Sequence, residues 1–132
     1  MSRATEKFDK NYTEVVKIIE KKFSDLKVGE KMLISSPKSI ADYIAKIPYG
    51  TEKSVKLMRL DLAKNANADN TCPLTTGIFL RIAIEASLEQ ANGRKPKLPF
   101  WRVISGKSSI MKKLPISTKY LKELRTSEGL QD

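Results

Sequence analysis

The sequence predicts a mainly α chain carrying one small β-hairpin, in the element order of a winged helix-turn-helix. Two observations carry this prediction. Apolar residues recur at spacings of three and four over most of the chain, between cap and stop residues. The exception is Pro99 to Ile104, an aromatic and β-branched run followed by Gly106 and Lys107, which reads as one strand and the turn of a hairpin. The length of 132 residues, with 40% hydrophobic and 30% charged side chains, suits one soluble domain with a single core, or one domain plus an arm.

The elements follow in order. Residues 5–26 read as an amphipathic helix, because Phe8, Tyr12, Val15, Val16, Ile19, Phe23 and Leu26 keep helical spacing. Residues 27–31 around Gly29 read as a linker, so residues 1–31 form an N-terminal helix and linker ahead of a winged-helix domain over 32–132. Met32, Leu33 and Ile34 form a short extended stretch. Ser36 before Pro37 is an N-cap followed by proline in the first turn, and Pro48 and Gly50 stop the helix it opens. A second helix covers about 54–65, and a third runs from Cys72–Pro73 to about Gln90. The third is apolar on most sides and is therefore mostly buried. A hairpin over 99–104 and 108–114 and a last helix over about 116–127 complete the chain.

Residue counts exclude several chemistries. The chain has no histidine, which removes Ser-His-Asp and Cys-His catalysis and His-ligated metal sites. Its one cysteine, Cys72, removes intramolecular disulfides and cysteine-rich zinc sites. No metal or cofactor is expected. The sequence has neither a membrane-length apolar run nor an apolar signal region, so a cytoplasmic protein is the default expectation. The net charge of +10 is unevenly spread, for residues 94–125 hold ten basic side chains and one acidic. Such a segment suits a polyanion, whose condensed counterions Lys and Arg displace; a lysine-rich surface serving solubility is the alternative.

From about residue 37 to 130 the chain resembles the DNA-binding domain of the alkylguanine-DNA alkyltransferases and of their non-catalytic relatives, the alkyltransferase-like proteins. "IPYGT" (47–51) resembles the family's Ile-Pro-x-Gly, and "LDLA" (60–63) its Asp/Glu-Ile/Leu-Ala. "LPFWRVI" (98–104) resembles the active-site strand Ile-Pro-Cys-His-Arg-Val-Val, and "EG" (128–129) sits where the family's last helix ends. The stretch "ADNTCPLTTGIFLRIAIEA" (68–86) is similar to a divergent bacterial branch. The resemblance implies an alkyltransferase-like winged-helix fold that binds DNA and is linked to repair. It also implies no alkyl transfer, because Phe100 and Trp101 stand at the nucleophile and His places, while Arg102 is retained. The family's base-flipping Tyr has no counterpart among residues 56–59, and its stack-inserting Arg has none among 74–77. Leu114, Pro115 and Ile116 replace the glycines before its last helix.

The expected DNA contacts are Thr75 and Thr76 at the start of the third helix, Arg81 one turn on, Arg102, and Lys107, Lys112 and Lys113 on the wing. Each has a plainer alternative. Thr75 and Thr76 can cap the helix, Arg81 can pair with Glu85, and Arg102 can pair with an internal carboxylate such as Glu85 or Asp61. Phe100 and Trp101 serve either as a stacking platform or as core. Cys72 is either a thiol activated at a helix N-terminus or a small inert apolar residue. The leading expectation is a non-enzymatic protein binding double-stranded DNA with low sequence specificity. The alternative is a protein-interaction adaptor that kept the fold and docks partners through its N-terminal helix.

Overall fold

A computed structural model describes residues 3–131. It is mostly helical with a small three-stranded sheet. Five α-helices occur among the described residues: α1 (Arg3–Asp9), α2 (Pro37–Ala45), α3 (Val55–Asn65), α4 (Pro73–Ala91) and α5 (Thr118–Thr126). The sheet has the order β1 (Val15–Ile18), β2 (Lys31–Ile34), β3 (Asn70–Thr71). β1 runs antiparallel to β2, with Val16 opposite Leu33, and β3 runs parallel to it, with Leu33 opposite Thr71.

The start of α2 follows the predicted chemistry. The Ser36 hydroxyl accepts from the Ser39 N–H, with Pro37 in the first turn. Ser54 and Ser117 cap α3 and α5 in the same way, accepting from Leu57 and Tyr120. Cys72 occupies the cap position of α4 without a side-chain bond. One core fills the space between α2, α3, α4 and α5, with Ile40, Ile44, Met58, Leu80, Ile84, Phe100 and Leu121 at its centre. A smaller cluster of Ile19, Leu26, Met32 and Cys72 lies under the sheet.

Two predicted elements are corrected. The helix over 5–26 ends at Asp9, and Val15–Ile18 is a strand. Val15, Val16 and Ile18 are β-branched, and their pairing with β2 outweighs a helical apolar spacing. The chain ahead of residue 31 is thus tied to the body through β1, which shares a sheet with β2. α1 packs on α4, where Glu89 accepts from the Thr5 N–H at 2.8 Å and from its hydroxyl at 2.9 Å.

The second correction is the hairpin over 99–114, which does not form. Phe100–Arg102 and Ser109–Lys112 are 3-10 turns. A strand would alternate its faces, but Phe100 and Trp101 are both buried. The carbonyls of Trp101 and Ile104 accept from the Arg125 guanidinium at 2.7 and 2.9 Å instead of from a partner strand. The only sheet among the described residues is instead built from strands between Val15 and Thr71.

Candidate nucleic-acid interface

α4 is apolar nearly all round, but its neighbours cover only part of it. α1 and the chain that follows it run along one side. They pass from the C-terminal half, at Thr5 and Glu89, to Tyr12, whose ring meets Phe79 edge-on with centroids 5.2 Å apart. The face bearing Leu74, Gly77 and Ile78 stays exposed. A groove of about 760 Å³ opens over it. Pro73, Leu74, Gly77, Ile78, Ile82, Tyr12 and Ile110 give it an apolar floor, and Lys7, Lys10, Arg81, Lys112 and Lys113 surround it. Glu85 is its one acidic lining residue and faces Arg81 at 3.4 Å.

Three elements distant in sequence bring these cations together. Lys7 and Lys10 come from α1 and the residue after it, Arg81 from α4, and Lys112 and Lys113 from the end of the second 3-10 turn. Nothing lies within 4 Å of where a Cβ on Gly77 would stand, so the floor there is bare backbone open to an approaching ligand.

The expected contact residues divide. Arg81, Lys112 and Lys113 line the groove. Lys107 is exposed but lies off it. Thr76 is buried and donates to the Cys72 carbonyl at 2.6 Å, which is a structural role. The Thr75 hydroxyl is also buried, although part of the residue is exposed. Neither threonine presents a hydroxyl to a phosphate. Lys7 and Lys10 were missed because the predicted helix over 5–26 hid the return of the chain toward α4.

Arg102 is engaged internally, with a partner outside those expected. Its Nε and Nη2 donate to the two oxygens of Glu128 at 2.8 and 2.9 Å, and its Nη1 donates to the Ile47 carbonyl at 2.7 Å. The same carboxylate accepts from Trp101 Nε1 at 2.7 Å and from the Gly50 N–H at 2.9 Å. These bonds, led by the Arg102 guanidinium, hold the buried Glu128 carboxyl down at about 2. Glu85 and Asp61 have other partners, since Asp61 accepts from the Tyr43 hydroxyl at 2.6 Å.

Phe100 and Trp101 complete the core, meeting edge-to-face at 5.4 Å. Trp101 is buried, with Lys95 Nζ 5.3 Å from its ring centre, so no open stacking surface is formed there. Cys72 is buried among Ile19, Leu26 and Met32, in keeping with a small apolar core residue. Among the described residues, no group of three or more His, Cys, Asp or Glu could hold a metal ion, and no helix is long and apolar enough to cross a membrane. No family model, no curated protein and no solved structure matches the chain.

Proposed function

We propose that this chain is a non-enzymatic DNA-binding protein of the alkyltransferase-like type, with α3 and α4 as its helix-turn-helix and the exposed face of α4 as the surface that meets duplex DNA. The observation that carries the reading is the groove along that face, with five cations around an apolar floor. Phosphates on both sides of the floor find Lys or Arg within the same concavity, and each neutralised phosphate releases condensed counterions. The place expected for a wing is taken by the 3-10 turn Ser109–Lys112, which brings Lys112 and Lys113 to the rim.

The geometry favours binding without base flipping. Phe100 and Trp101, which stand at the nucleophile and His places of the resemblance, are both buried, and the Trp101 indole donates to Glu128 at 2.7 Å. Flipping costs a few kcal/mol, and this site offers no open pocket to repay it. Specificity is low because the floor is apolar and few groups on it can read base edges. The convergence of three resembled motifs on one ion pair supports the likeness: Gly50, Trp101 and Arg102 donate to the Glu128 carboxylate, and Arg102 also donates to the Ile47 carbonyl.

Fluorescence anisotropy with plain and alkylguanine-containing duplexes across a salt series tests the reading. Both duplexes are expected to bind alike, with affinity falling steeply as salt rises. Replacing Arg81, Lys112 and Lys113 by Ala together flattens the salt slope by up to ~3 units, while Lys107→Ala leaves it nearly unchanged. A triple variant with the wild-type slope removes the groove from the interface.

A further inference from the structure

The edge of the small sheet points to a second interaction surface, apart from the groove. β1 is an outer strand, paired only with β2. The Ile19 N–H donates to the Glu30 carbonyl at 2.9 Å, and this fixes the parity of the ladder. Odd-numbered residues of β1 turn their main-chain groups to β2. Val16 and Ile18 therefore turn theirs outward, where the sheet has no further strand. β2 agrees with this parity, for the Lys31 and Leu33 carbonyls accept from Asp69 and Cys72 on its other side.

The same stretch exposes much of the apolar surface of the molecule. Val16 is 44% exposed, Ile18 66% and Val28 65%, with Val15 and Phe23 also open. Around them lie Lys17, Lys21, Lys22, Lys27 and Lys31, all exposed and none paired with a carboxylate among the described residues. Of the four carboxylates in this stretch, Asp25 is neutralised by Arg59, while Glu14 and Glu30 accept from neutral donors and Glu20 is exposed, so the five lysines outnumber the remaining carboxylates by two.

We propose that β1 docks an extended, acidic segment of a partner protein, which adds a fourth strand through the main-chain groups of Val16 and Ile18 and places its carboxylates among these lysines. Free donors and acceptors beside exposed apolar side chains are what strand addition uses. Charge selects the occupant. A second copy of this chain would set two lysine-rich edges against each other, and an anionic bilayer would bury the Val16 and Ile18 main-chain groups unpaired.

The test is an amide NMR titration of the full chain with a peptide of about nine residues, alternating Val and Thr at its centre with two acidic residues at each end. The Val16 and Ile18 amides are expected to shift and to become protected from exchange. Val16→Pro, which removes one outward N–H at an edge where proline is tolerated, abolishes the effect. Reversing Lys17, Lys21 and Lys22 to Glu weakens binding by about tenfold or more, and the reversed chain stays folded by its amide spectrum. Any of four results overturns the proposal: no shift at these amides up to about 1 mM peptide, equal binding of a lysine-flanked peptide, a doubled solution mass through β1 in the absence of peptide, or phosphatidylserine vesicles perturbing β1 where the peptide does not.

Discussion

Glu128 shows what one side chain does when every lone pair is used. Its carboxylate is buried and takes bonds from Arg102, Trp101 and Gly50, so the last turn of the chain is joined to the loop after α2 and to the first 3-10 turn. Glu128→Gln leaves the Arg102 charge without its partner, and the expected loss is about 3 kcal/mol in urea unfolding at neutral pH. The pH dependence follows from the depressed carboxyl. The Glu128 contribution is fully present above the ordinary value of 4.5 and is lost as pH falls toward about 2. The gap between wild type and Glu128→Gln should therefore close over that window. Gly77 tests the groove at the same scale. Gly77→Ala should raise stability by about 0.5–1 kcal/mol, because it sits mid-helix and its added Cβ meets nothing. The same change should weaken DNA binding if bare backbone on the floor lets the duplex come close. Stabilisation with unchanged affinity would place the duplex elsewhere.

At the scale of elements, local chemistry and long-range contacts divide the chain between them. α2, α3 and α5 start at serines whose hydroxyls accept from the third residue on; the Ser36–Pro37 start was legible as a cap signal, while α3 and α5 were read from their apolar residues without their caps. Ser117→Ala should cost α5 about 1 kcal/mol, measurable as a lower melting temperature. The 99–114 segment was not legible. Its aromatic and β-branched residues suit a strand, but the Arg125 guanidinium holds the Trp101 and Ile104 carbonyls and curls the chain into turns. Arg125 also meets Glu52 at 2.7 Å and the Gln131 carbonyl, so nearly all its donors are spent inside the fold. Arg125→Met should destabilise the protein by about 3 kcal/mol and loosen this segment, seen as faster amide exchange at residues 101–105.

For the whole molecule, the uneven charge matters less by its sum than by where the cations remain free. Residues 94–125 hold ten basic side chains, yet Arg102 and Arg125 are bound internally. Arg59 is likewise held by Asp25 and by the Thr71 carbonyl. The groove instead recruits Lys7 and Lys10 from the N-terminal segment. Replacing these two by Ala should flatten the salt slope of DNA binding by up to about 2 units, additively with Lys112 and Lys113. A slope unchanged by the pair would confine any interface to the far rim.

The sequence by itself determined the helices from Pro37 onward, the Ser36 cap, the apolar character of α4 and the excess of positive charge. Each of these is set by residues within a few positions of one another, so spacing and residue type suffice. The tertiary structure alone decided that Val15–Ile18 pairs with Lys31–Ile34 as a strand, that Phe100 and Trp101 turn inward, and that Arg102 meets Glu128. It also decided which lysines share a groove. Those outcomes depend on partners from about 13 to more than 100 residues away, whose competing free energies no local pattern encodes.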